Sequence, residues 1–204
     1  MRRVGKSYLS SLLLVASLLA ACLPCVGQRS ALSVHQNIAE LTQQAATIVR
    51  GQVISAKVEP HPELTNLTTL VVTMRVSSTL KGRASSTFLF RQFIWDIRDK
   101  YEFGGYQKGQ QILILLNPVS SYGLTSPAGM EQGRFLITRD EHGNMVASNG
   151  FANVGLFSDV ETKAVTAKVQ LSPATTTLVR QHVRGPVALD QLETLIRQFA
   201  GASK

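Results

Sequence analysis

Alternation is sharpest between Thr69 and Leu80. Leu70, Val72, Met74, Val76, Ser78 and Leu80 fall on one face, and Val71, Thr73, Arg75, Ser77 and Thr79 on the other. That pattern predicts a long, half-buried strand closed by Lys81-Gly82 as a turn. Upstream, Ile48 to Val58 is β-branched and broken by Gly51, which predicts a strand with a bulge or a close backbone approach. Pro60 and Pro62 end it, and Pro60 to Asn66 is expected as an exposed loop. Thr87 to Phe93 is a further strand. Gln111 to Leu116 is a continuous apolar run between Lys108-Gly109 and Asn117-Pro118, as expected of a strand buried on both faces. Arg134 to Arg139 and Met145 to Ser148 are expected to pair as a hairpin across Asp140-Glu141-His142-Gly143. Short strands with Gly-rich turns predict a mainly β (α+β) domain, an antiparallel barrel or sandwich.

Helical spacing appears at both ends of this β region. Ser33 to Ala46 predicts a helix, with Ser33 and Gln36 as a capping box and Val34, Ile38, Leu41 and Ala45 as its apolar face. Ser172-Pro173 reads as an N-cap followed by Pro at the first helical position, opening a helix to about Val183 that Gly185-Pro186 stops. Asp190 is expected to cap a last helix whose stripe is Leu192, Leu195, Ile196 and Phe199. Phe151 to Leu171 is weakly patterned and reads as a loop or connector.

The first residues follow another rule. Arg2, Arg3 and Lys6 precede a short apolar run, Leu12 to Leu19. A bilayer span needs about 20 apolar residues, so the run suits an export signal instead. Leu19-Ala20-Ala21-Cys22 resembles the bacterial lipobox, which implies cleavage before Cys22 and lipidation of its thiol. Cleavage after Gly27 also fits, with Cys25 and Gly27 at the −3 and −1 positions. The expected layout is a signal peptide over 1–21 (1–27 on the second reading) and a tether over 22–32. A β-rich barrel domain follows over 33–155, then a connector and C-terminal helical tail over 156–204. The expected location is the cell envelope, as an outer-membrane or periplasm-facing lipoprotein. A soluble secreted protein is the alternative.

Composition narrows the chemistry. Both cysteines, Cys22 and Cys25, lie in or beside the signal, so the body has no disulfide, thiolate nucleophile or Cys-based metal site. Without the three basic residues of the signal, 18 Lys and Arg stand against 13 Asp and Glu, a net charge of +5. These charges are scattered and are not interleaved with aromatics, so nucleic acid is not an expected partner.

The capped helix leads into Thr47-Ile48-Val49-Arg50-Gly51-Gln52-Val53, and the long strand ends in Leu80-Lys81-Gly82. Lys108-Gly109-Gln110-Gln111-Ile112-Leu113-Ile114-Leu115-Leu116 and Gln132-Gly133-Arg134-Phe135-Leu136-Ile137 follow. Over residues 33 to 150 this order resembles a group of uncharacterised secreted bacterial proteins, which brings no activity with it. It is more distantly similar to netrin-like domains, including the tissue inhibitors of metalloproteinases. That resemblance implies a small OB-like, netrin-like barrel and protease inhibition. The inhibitors use a free N-terminal cysteine on zinc and disulfides in the barrel. Cys22 would be acylated and the barrel region lacks cysteine, so no inhibitory residue carries over.

No catalytic motif stands out. His35, His61, His142 and His182 are isolated in sequence, without zinc-site spacing. There is no Gly-x-Ser-x-Gly elbow, Ser-x-x-Lys motif or phosphate loop. No catalytic residue, metal or cofactor is therefore expected. Asp96, Asp99 and Glu102 lie among Arg98 and Lys100, as surface pairs do. The segment Phe93 to Tyr106 holds the only tryptophan, Trp95, and two of the four tyrosines, Tyr101 and Tyr106. Trp95, Tyr101 and Tyr106 beside Arg98 suit recognition of an envelope protein, a peptide or a glycan. Phe93, Trp95 and Phe103 also suit capping one end of a barrel. The expected function is a non-enzymatic envelope binding module, with a protease inhibitor or a hydrolase of dispersed residues as alternatives.

Overall fold

The structure, a computed structural model, describes residues 34–94 and 97–202. The export segment, Cys22 and Trp95 lie outside the described residues. No helix among the described residues is long and apolar enough to cross a membrane.

The chain opens with helix α1 (Ile38–Gln44), then strands β1 (Thr47–Pro60), β2 (Thr68–Lys81) and β3 (Thr87–Phe93). A short helix α2 (Ile97–Glu102) precedes β4 (Gln111–Leu116) and the hairpin β5 (Arg134–Arg139) and β6 (Met145–Asn149). Helices α3 (Val160–Thr166) and α4 (Pro173–Gln181), the short strand β7 (Val187–Ala188) and helix α5 (Leu189–Ala202) complete it. The strands form one antiparallel sheet in the order β3-β2-β1-β4-β5-β6-β7.

That order corrects the expectation of a barrel. β3 and β7 are the two edges and do not pair, so the sheet stays open. One face is occupied by helices: Ile38 and Leu41 of α1, Val160 of α3, Leu178 of α4 and Leu192, Leu195, Ile196 and Phe199 of α5 pack on Leu113, Leu115, Phe135 and Ala147. The four α5 side chains are buried, each removal from water contributing roughly 1.5–3 kcal/mol. The other face carries a second core of Val49, Val53, Leu70, Val72, Met74, Phe90, Ile112, Ile114 and Leu116, covered by Tyr106. β4 contributes alternate residues to both cores, which is why its sequence is apolar without a break.

β1 and β2 are long enough to need irregularities. Their register slips between Ile48 and Val49, between Arg50 and Gly51, and between Val53 and Ser55. Gly51 sits at the second slip, where an added Cβ would overlap the Arg75 carbonyl oxygen. The slips also rotate the strand, so Leu70, Val72 and Met74 enter one core and Leu80 the other.

Several ends differ from the sequence expectation. The first helix begins after Asn37: its side chain accepts from the Glu40 N–H at 3.0 Å, while the Glu40 carboxylate accepts from the Asn37 N–H at 3.1 Å. Gln36 is outside the helix because its N–H donates to Gln132 Oε1 at 2.8 Å. Val34 is correspondingly exposed. Asp190 lies inside the first turn of α5, which starts at Leu189. The weakly patterned stretch contains α3, and Leu156, Phe157, Val160 and Ala164 from it enter the helical core.

Candidate functional site

The sheet order decides where the site lies. β3 is an edge strand and β4 is beside β1, so the connector 97–110 returns toward β1 on the face away from the helices. Tyr106 anchors it. Its hydroxyl donates to Gln92 Oε1 at 3.1 Å, and its ring meets Phe90 edge-on at 5.8 Å. The Arg134 guanidinium stacks 4.5 Å from the ring centroid. Arg134 in turn donates to the Gly104 carbonyl at 2.5 Å and to Glu131 Oε2 at 2.7 Å. Burial pushes the Tyr106 hydroxyl's pKa up, against the pull of the Arg134 charge, so it stays a neutral donor.

Just before Tyr106 the backbone runs through the left-handed region for three residues: Phe103 (φ 52°), Gly104 (φ 58°) and Gly105 (φ 76°). The glycines are required twice over, because an added Cβ would meet Leu70 at position 104 and Arg134 at position 105. Phe103 has no such excuse. A bulky residue at positive φ costs of order 1–3 kcal/mol and persists only where surrounding structure holds it. Here the Tyr106–Arg134–Gly104 contacts hold the turn, and Phe103 is 44% exposed.

This turn forms one wall of a groove of about 700 Å³. The opposite wall is β1 from Ile54 to Lys57, and Lys108 stands beside the turn. β1 pairs with β4 only from Thr47 to Gln52. Gly109 and Gln110 carry the backbone bonds one residue further, to Val53, both at 2.9 Å. From Ser55 to Pro60, β1 has β2 on one side and no strand among the described residues on the other.

The predicted site residues are thus separated. Tyr106 is 3% exposed and belongs to the core that shapes the groove. Arg98 and Tyr101 are exposed on α2 and do not line the groove, while Ile97 and Phe93 add to the exposed apolar surface around them. Trp95 falls outside the described residues. Sequence reasoning missed Arg134, Glu131 and Gln92, which reach the connector only through folding, and it missed Lys57, whose strand edge becomes visible only with the sheet order.

The histidines have local partners instead of a shared centre. His61 is buried, with Nε2 2.7 Å from the Tyr122 carbonyl and Nδ1 accepting from the Leu64 N–H at 3.0 Å. His182 Nε2 lies 3.0 Å from the Gly185 carbonyl, and at His142 it is the backbone N–H that donates to Asp140 Oδ1, at 2.9 Å in the β5–β6 turn. Among the described residues no group of three or more His, Cys, Asp or Glu is placed to hold a metal ion. The fold and groove together define a mixed α+β protein with an open seven-stranded sheet and a partly apolar groove beside a free strand edge. No protein-family model matches the chain, and no curated protein matches it.

Proposed function

We propose that this chain is an exported envelope protein that binds a partner along the groove between β1 and the Phe103–Lys108 segment, held at a membrane by lipid on Cys22. The observation that supports the binding site is Phe103. Its backbone is kept in a disfavoured conformation by buried neighbours while its ring is left exposed at the groove. A strained backbone that sets a half-exposed aromatic side chain beside a groove is characteristic of functional positions. The tether rests on the sequence Leu19-Ala20-Ala21-Cys22 directly after the apolar run. An inhibitory role in the manner of netrin-like domains has no comparable support.

A photoreactive phenylalanine analogue at position 103 of the full chain, irradiated in intact cells, tests the site. Adducts are expected from 103 and not from the same analogue at Val165, which is 79% exposed on α3 in the helical layer. Equal adducts from both positions, or none, contradict the proposal. The mass of the mature N-terminus tests the tether separately: an acylated Cys22 is expected, and a free terminus at Gln28 would remove the membrane attachment from the account.

A further inference from the structure

We infer that the groove takes an extended, acidic peptide segment, which adds to β1 as a strand. This rests on the groove being the binding site and names what it binds. The edge from Ser55 to Pro60 is paired with β2 only, leaving about 20 Å of strand at roughly 3.4 Å per residue. An unpaired edge is a row of backbone donors and acceptors that another chain in extended form can satisfy. Pro60, which has no N–H, marks where such pairing stops.

The other edges of the sheet are less available. β3 is crossed by the 117–125 loop, whose Thr125 N–H donates to the Arg91 carbonyl at 2.8 Å. β7 has two residues. At β1 the space is instead kept open. The Phe103–Gly105 turn keeps the connector off the strand until Gly109, and the Tyr106–Arg134 contact fixes that turn.

The walls indicate which peptide. Three exposed charged residues line the groove, Lys57 on the strand, Lys108 after the turn and Glu102 just before it, which leaves a net charge of +1, and Phe103 supplies an apolar surface. A segment with acidic residues around an apolar one complements this arrangement. An anionic lipid surface is a poorer match, because on α2 Arg98 and Lys100 alternate with Asp99 and Glu102 and leave no basic face.

The test pans the full mature protein against a phage library of random decapeptides. The selected peptides are then synthesised with single N-methyl groups along the backbone. Enrichment in Asp and Glu is expected, with binding weakened about tenfold by N-methylation at alternate positions and little at the others, the loss of one backbone hydrogen bond in each case. Amide resonances of Ser55 to Lys57 should shift. Lys57→Glu with Lys108→Glu should reverse the acidic preference with an unchanged unfolding midpoint, since both side chains are exposed. A flat N-methyl scan overturns strand addition; if adducts still form from position 103, the groove remains the binding site. Binding only to phosphatidylglycerol vesicles or to glycans overturns the peptide assignment in the same way. No ligand of any class and no adducts would remove both readings.

Discussion

Lys81 closes the end of the helix that leads into its neighbouring strand. From the last residue of β2, its Nζ donates to the Thr42 carbonyl at 2.8 Å and to the Gln43 carbonyl at 3.2 Å, both in the last turn of α1. These carbonyls have no partner within the helix, and a cation there also meets the negative end of the helix dipole. Gly82 completes the junction: at φ 75°, an added Cβ would lie 2.6 Å from the Ala46 carbonyl oxygen. The Leu80-Lys81-Gly82 motif therefore fixes the angle between α1 and the sheet.

Lys81→Met keeps the aliphatic stem and removes the donor. A loss of about 1–2 kcal/mol is expected, read as a lower urea midpoint with an unchanged slope. An unchanged midpoint would show that water replaces the cap without cost.

Gly51→Ala should be more damaging. The new methyl group would overlap the Arg75 carbonyl at a point where two long strands are bound to each other, and neither backbone can move alone. A loss of about 2–3 kcal/mol is expected in thermal unfolding, in the range of overpacking at a fixed site. A loss below about 0.5 kcal/mol would mean the slip in register can migrate along β1.

Acid should loosen the contact between α1 and α3. The Lys163 ammonium, 2.7 Å from Glu40 Oε1, holds the Glu40 carboxyl below its ordinary pKa, helped by the Asn37 N–H and opposed by desolvation. A depressed folded-state pKa adds stability above the unfolded-state value, which is lost as pH falls through the folded one. Glu40→Gln retains a capping acceptor but no charge. It should be less stable than the native chain at pH 7 by a few tenths of a kcal/mol, as for other partly exposed pairs. The difference should shrink as pH falls below the usual glutamate range and through the lowered folded-state pKa. A difference that persists at acid pH would assign the effect to the capping geometry instead.

Much of this fold is legible wherever a single element fixes its own pattern. β4 is readable because two cores need two apolar faces, and α5 because Leu192, Leu195, Ile196 and Phe199 form one stripe. Gly51 announced a close approach that the Arg75 carbonyl explains. What was hidden depends on partners distant in sequence. The start of the first helix is decided by Gln132, which holds the Gln36 N–H out of the helix, so that Asn37 caps it. Helix α3 is short and follows residues at positive φ, Ala152, Asn153, Gly155 and Asp159, which give no periodic signal. The open sheet follows from helices that occupy one whole face, a packing choice no local pattern encodes. In sequence Tyr106 belongs with Tyr101 to one aromatic surface, yet Arg134, Gln92 and Phe90 draw it into the core and leave Phe103 at the groove.

The role of Phe103 at the groove is tested most directly by the urea unfolding of Phe103→Asn. Asparagine accepts the left-handed region far more readily than phenylalanine. If the ring serves the groove, the variant should be as stable as the native chain or up to about 1 kcal/mol more stable. A loss of more than about 1 kcal/mol would show that the Phe103 ring is packing material and that the groove has no displayed aromatic contact.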